Sequence, residues 1–275
     1  MIKRKMFTIM ALIVATVLAY LLSTAPTHDG DWQEAQALLP EIRIEGDRYL
    51  LRNIRDFSYH ADRSIKPARY LEQEFSPNSL KRIWLGLSHF SGYGFAHSFL
   101  SFEFDDGRYL VASVEARMRP GQSYSPLAGL LRRYHKIIVL GTERDIIGLR
   151  SKVREERVLL YPLELTASQS RRVFTGMMQD VRTLREKPSF YNTLFDNCTT
   201  GLLRHDQENH FWKNILDYRI LLPGFADDYA VQRGWIRADK GLEHLRKEAV
   251  VPADIDPDDG NFSLGIRDFG IMPSN

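Results

Sequence analysis

Alternation of apolar and polar positions is the clearest signal along this chain. In AHSFLSFEFDDGRYLVASVEAR, Leu100, Phe102 and Phe104 alternate with His97, Phe99, Ser101 and Glu103, which predicts a strand with one apolar and one mixed face. Asp105, Asp106 and Gly107 turn the chain, and RYLVASVEAR returns as the partner strand. With a three-residue loop and Gly107 in the left-handed conformation, Phe104 pairs with Arg108, and His97 then faces Glu115 on the mixed side. A two-residue loop sets His97 opposite Ala116 instead, because one step of register exchanges the faces. EIRIEGDRYLLRNIRDFSY alternates on either side of Glu45, Gly46 and Asp47 and predicts another hairpin with a glycine turn. After Pro77, LKRIWLGLSHF is a short apolar stretch holding Trp84, and SGYG breaks it.

Helical periodicity is strongest in TASQSRRVFTGMMQDVRTLREK. Val173, Phe174, Met177, Met178, Val181 and Leu184 recur at i, i+3, i+4 spacing after a cap at Thr166 or Ser168, and Pro188 stops the helix. Those methionines read as core. SPLAGLLRRYHKIIVLGTERDIIGLR predicts a short helix, a strand at Lys136 to Leu140 and another helix or turn, and RVLLYPLEL a further strand. Residues 23–40 read as a polar spacer with a short helix from Trp32 to Leu39, ended by Pro40. A main domain follows over 41–250, with an acidic, turn-rich tail over 251–275 read as loop. Hairpins in roughly equal share with helices, without regular strand-helix alternation, argue for an α+β fold.

The first 30 residues stand apart. Lys3, Arg4 and Lys5 precede a charge-free run from Met6 to Leu22, the pattern of a membrane anchor or a secretory signal. The basic flank, residues 1–5, stays cytoplasmic and sends the rest outward, to the periplasm or cell exterior. Ala25 offers a cleavage site, but Pro26 directly behind it disfavours processing, so an uncleaved inner-membrane anchor over residues 6–22 is expected.

Charge adds an exclusion. Lys plus Arg (37) nearly balances Asp plus Glu (35), which gives no electrostatic reason to expect a nucleic-acid partner. The single cysteine, Cys198, cannot form an internal disulfide, and keeping a free thiol in an oxidising compartment favours a use for it. Asp196 and Asn197 are good helix N-caps, so Cys198 falls in a first helical turn, where the dipole and unpaired N–H groups favour thiolate. Its neighbours Asp196, Asn197, Thr199 and Thr200 fit poorly with core packing, although free cysteine often behaves as a small buried hydrophobe.

A thiol nucleophile needs a base and a group that orients the base. Of eight histidines, His97 starts a strand beside a small residue and, with the three-residue loop, faces Glu115, which makes it the best base. His28, His60, His135, His205, His210 and His244 read as surface residues, and His89 is second choice. A metal site built on His89, His97 and Cys198 is a weak competing reading, since no CxxC or HExxH spacing occurs; no metal or cofactor is expected.

NIRDFSY, AHSFLSFEFDDGRYLVASVEAR, YSPLAGLLRRY, TERDIIGLR, LYPLEL, FYNTLFDNCTT and DYRILLPGFADDYA resemble, in this order, the N-terminal periplasmic domain of the Lnb family of bacterial lipoprotein N-acylation enzymes. The resemblance covers about residues 41–235. It implies a papain-like, circularly permuted NlpC-type thiol fold: an antiparallel sheet with packed helices, in which a histidine strand precedes a helix that starts with cysteine. His97 falls on the motif histidine and Cys198 on the motif cysteine, with Glu115 and Arg117 in the SVEAR strand. The implied chemistry is acyl transfer or hydrolysis through a thioester, with Asn197, Thr199 and Arg117 as substrate or oxyanion support and Glu115 as third catalytic group. The implied substrate is an acyl-bearing lipid, lipoprotein or peptide. The larger enzymes carry further membrane helices after this domain, whereas this chain ends in polar sequence, so a relative acting on another acyl or peptide substrate is equally expected. The alternative is a non-catalytic envelope domain that binds lipid or protein.

Overall fold

Two hairpins predicted by alternation, one at the edge of the sheet and one within it, are formed. A computed structural model describes residues 2–92, 94–192, 200 and 217–268 of the chain. β1 (Glu41–Glu45) pairs antiparallel with β2 (Arg48–Arg55), with Glu45 opposite Arg48. Gly46 takes φ +63° in the turn between them, a conformation glycine adopts without steric cost. β5 (Phe95–Phe104) and β6 (Tyr109–Arg117) are joined by the three-residue form of the loop. Gly107 has φ +79°, and its N–H donates to Phe104 O at 3.0 Å, while the Phe104 N–H donates to Arg108 O at 3.0 Å. Pairing runs from Glu103 opposite Tyr109 to Leu100 opposite Ala112, the register in which His97 and Glu115 share a face.

LKRIWLGLSHF is longer than a short stretch: it lies in β4 (Leu80–Ser91), which pairs along β5 with Ser88 opposite His97. β3 (Tyr70–Phe75) lies outside the sequence expectations and pairs with β2. A short helix, α2 (Pro126–Leu130), and the strands β7 (His135–Gly141) and β8 (Arg157–Pro162) fall on the expected segments. Among the described residues the strands form one sheet in the order β1-β2-β7-β6-β5-β4-β8, with β3 also on β2. The expected antiparallel sheet is thus corrected to a mixed one. β2 and β7 run parallel where Arg55 meets Gly141, and the Thr142 N–H donates to Arg55 O at 2.9 Å.

Both faces of this α+β sheet are covered. On one, Leu85, Leu87, Leu100, Phe102, Leu110 and Ile138 meet α4 (Ala167–Glu186). All six periodic side chains of α4 named above are buried, and its start is fixed by a capping box between Thr166 and Gln169. α5 (Tyr218–Leu221) and α6 (Ala226–Gln232) add Ile220 and Tyr229 to this core. On the other face Trp84, Phe99, Val111, Ile137 and Val139 pack against Ile146 and Ile147 of α3 (Glu143–Gly148). The acidic tail contributes here too, contrary to its reading as loop. It forms α8 (Phe262–Gly265) after α7 (Leu242–Glu248), and Val251, Phe262 and Ile266 are buried.

The segment from Trp32 to Leu39 is not a helix beyond one 3-10 turn, Glu34–Gln36. Its backbone groups are taken by the end of β6 and the residue after it instead: the Gln33 N–H donates to Met118 O at 2.9 Å, and Arg117 donates to Gln36 O and Ala37 O at 2.9 and 2.7 Å. At the N-terminus α1 (Ile2–Ser23) is helical, with Met6, Phe7, Ile9, Met10 and Leu12 exposed. Among the described residues, no helix is long and apolar enough to cross a membrane, so the expected span over 6–22 is not among the findings. Arg4 and Lys5 lie at one end of α1, and hydroxyls of Thr8, Thr16 and Ser23 fold back onto helix carbonyls.

Candidate functional site

Strand alternation puts His97, Ser113 and Glu115 on the same face, and the structure joins them. His97 Nε2 lies 2.7 Å from Ser113 Oγ, and Ser113 Oγ donates to Glu115 Oε1 at 2.9 Å. Glu115 also accepts from Arg150 Nη2 at 3.2 Å on Oε1 and from Gln36 Nε2 at 2.9 Å on Oε2. A carboxylate only accepts, so the single Ser113 hydrogen goes to Glu115, and Ser113 Oγ must accept from a His97 Nε2–H. The network therefore assigns the Nε2–H tautomer and leaves Nδ1 as the acceptor of the ring. Expected as direct neighbours, His97 and Glu115 communicate through a serine.

The charges of the three groups are set by where they sit. Burial, reinforced by the positive charge of Arg150, pushes His97 down to about 3, against the opposing pull of Glu115. Burial alone would raise Glu115, but Arg150 and Arg55 outweigh it and hold the carboxyl well below the ordinary carboxylate range. At neutral pH the row is a carboxylate, a hydroxyl and a neutral imidazole.

His97, Glu115 and Arg150 line a cleft of about 330 Å³. Arg150 comes from a π-helical turn, Leu149–Val153, that continues α3. Arg154 and Glu156 follow at the cleft wall, 3.7 Å apart, and Glu156 accepts from Ser88 Oγ. Below them Arg55 makes a buried bidentate pair with Asp145 at 2.8 and 2.9 Å. Asp145 accepts two further bonds, from the Phe57 N–H at 2.9 Å and Tyr59 Oη at 2.8 Å, so its lone pairs are fully used. The mouth carries Phe90, 46% exposed.

Cys198, Asn197 and Thr199 lie outside the described residues, as do His205 and His210. Tyr191, seven positions before Cys198, lines the cleft, and Thr200, two positions after it, is buried. Arg117 is buried but reaches away from His97: its guanidinium holds the carbonyls of Gln36 and Ala37 and stacks over Trp32 at 4.5 Å, and it is not among the residues that line the cleft. His135 is half-buried against Trp32 and Phe190 rather than a surface residue. His28 Nε2 bonds to Leu184 O at 2.8 Å. A joint metal site of His89 and His97 is ruled out by register: Ser88 is opposite His97, so His89 projects to the other face. Among the described residues no cluster of three His, Cys, Asp or Glu could hold a metal ion.

Ser113, Gln36, Arg150 and Asp145 were not singled out in the sequence. Ser113 had a signal, its place two residues before Glu115 on the same face. Arg150 and Asp145 had none, because the bulged turn and the return of α3 to the sheet are not local properties of the sequence.

No curated protein and no solved structure matches the chain. One family model does, that of the Lnb N-terminal periplasmic domain, over residues 66–224. The match takes in His97, Ser113, Glu115, Arg150 and the segment around Cys198, and it spans more than half of the sequence. By its sequence the chain belongs to the Lnb N-terminal periplasmic domain family.

Proposed function

We propose that the cleft is the active site of a periplasmic thiol acyltransferase or hydrolase, with Cys198 as nucleophile and His97 as its base. The observation that carries this reading is the chain from Glu115 through Ser113 to His97, which leaves Nδ1 as a proton acceptor in a cleft that Tyr191, seven positions before Cys198, also lines. In the proposed reaction the Cys198 thiol gives its proton to His97 Nδ1, and Sγ attacks an ester or amide carbonyl carbon. The C–O or C–N bond breaks, the leaving alcohol or amine takes the proton from the imidazolium, and a thioester remains. An amine or water then attacks the thioester, gives up a proton through His97, and restores the thiol. Burial of an imidazolium is costly, but the thiolate formed beside it offsets that cost.

N–H groups at Asn197 and Thr199 are assigned to the oxyanion, with the papain-like arrangement of a histidine strand before a cysteine helix as the frame. Arg117, turned to the spacer, is better suited to holding that segment than to touching substrate. The substrate class is an acyl-bearing lipid, lipoprotein or peptide, and the charge-free run of residues 6–22 with its exposed apolar side chains is proposed to hold the domain at the inner membrane. The test is labelling of the full chain with an ester activity probe, read by mass spectrometry as an acyl adduct on Cys198. Labelling should vanish in Cys198→Ser and fall about 100-fold or more in His97→Ala. Equal labelling of wild type and His97→Ala sinks the dyad and leaves a binding domain, as does full complementation of a deletion strain by Cys198→Ser.

A further inference from the structure

Residues 28–39 precede the stretch matched by the family, yet they are fastened to β6 and close one side of the cleft. Trp32 is buried and donates from Nε1 to His28 O at 2.8 Å, and Arg55 Nη1 donates to Ala35 O at 2.8 Å. These ties, with those of Gln33 and Arg117, deliver Gln36 to the catalytic row at 5% exposure. Its side chain makes three bonds. Oε1 accepts from the Met118 N–H at 2.7 Å, and Nε2 donates to Ala116 O at 3.1 Å and to Glu115 Oε2 at 2.9 Å. The amide can point only this way, since the Met118 N–H can only donate and the other two partners only accept.

We propose that Gln36 is a positioning residue of the site: by pinning Glu115 Oε2 it keeps the Ser113 hydrogen on Glu115 and so keeps His97 in the Nε2–H tautomer. This rests on the Cys198–His97 reading. Without the Gln36 donor the carboxylate is held through Oε1 alone, by Arg150 at 3.2 Å and by Ser113, so it can swing about that oxygen and Ser113 can donate to His97 Nε2 instead. The ring then carries its proton on Nδ1, the atom assigned to receive the thiol proton, and the base is blocked. The strap between the N-terminal helix and the domain is thereby a working wall of the cleft.

The test uses the full chain with 15N-labelled histidine, the His97 signals being identified by their loss in His97→Gln. Wild type should show the Nε2–H tautomer at neutral pH. Gln36→Met removes all three bonds at similar length, and Gln36→Glu keeps the acceptor for Met118 while replacing the donor to Glu115. Both should populate the Nδ1–H tautomer and slow iodoacetamide alkylation of Cys198 about tenfold. The exchanged pair Gln36→Glu with Glu115→Gln restores a donor facing an acceptor and should return the Nε2–H tautomer. A wild-type His97 spectrum in folded Gln36 variants overturns the proposal. If the single variants unfold, the exchanged pair decides: Nε2–H supports the assignment and Nδ1–H overturns it. Alkylation indifferent to His97→Ala would instead overturn the dyad, while the tautomer measurement still judges Gln36.

Discussion

Alternate residues of the same strands build two unlike interiors. On one face Leu85, Leu87, Leu100 and Phe102 meet the methionines and Phe174 of α4, and contacts there are apolar and non-directional; the ion pair this side buries, Asp227 with Arg246 and Tyr161, lies beside β8 and α6 rather than under α4. On the other, the apolar cluster around Phe99 is bounded by buried charge: Glu115 with Arg150, Asp145 with Arg55, and Glu143 with Arg267 and Ser101. The contact with α4 gains its stability from area removed from water and tolerates exchange of one apolar shape for another. The second gains position, because every buried ion is fixed by named donors and acceptors, and loss of one partner strands the other.

The largest expected effect is on the charged face. Asp145→Ala takes from buried Arg55 its bidentate partner, leaving Glu115 as a more distant counter-charge, and should cost about 3–5 kcal/mol in urea unfolding. A loss below about 1 kcal/mol would mean that water reaches this pair, and the contrast between the faces would fail. On the apolar face Met178→Ala should cost about 2–5 kcal/mol through the cavity it leaves. It should leave Cys198 reactivity unchanged.

Gly86→Ala tests how the faces meet. Its new Cβ would fall 2.1 Å from the Phe99 ring, against which Arg150 lies at 5.8 Å and the His97 ring stacks at 6.4 Å. Overpacking here should cost about 1–3 kcal/mol in thermal or urea unfolding, and unlike Met178→Ala it should disturb the pH dependence of Cys198 alkylation.

Acid should separate the faces as well. His97 titrates at about 3 when folded against about 6.5 in an unfolded chain, so between those values the unfolded chain binds the proton first. Stability therefore falls as pH drops below about 6.5, and protonation of Glu115, held low in the fold, adds a further loss below about pH 4.5. The urea midpoint should decrease from pH 7 to pH 5, and less steeply in His97→Gln; His89 and His135, also lowered by burial, keep part of the slope. Parallel midpoints in wild type and variant would mean that His97 carries none of the slope. The smallest effect is expected for Met177→Leu, under about 1.5 kcal/mol in the same assay.

The parts legible in the sequence were those with a local period. α4 followed from its 3.6-residue stripe and cap, and the β5–β6 hairpin from alternation around a glycine turn, which placed His97 and Glu115 on one face. What could not be read was the bridging by Ser113, the strap in place of a helix at Trp32 to Leu39, the parallel contact of β2 with β7, and the π-helical turn that supplies Arg150. Each depends on partners far along the chain. Gln36 and Glu115 are 79 residues apart, and Arg55 and Asp145 are 90.

The turn at Asp105 to Gly107 makes the site sensitive to parity. An insertion or deletion of one residue there slips β6 by one step, sends Glu115 and Ser113 to the face of α4, and brings Val114 and Ala116 beneath His97. Two inserted residues preserve the odd-even count. In a lineage that keeps the chemistry, length changes in this loop should come in twos, and an odd change should mark a member that has lost the Glu115–Ser113–His97 row.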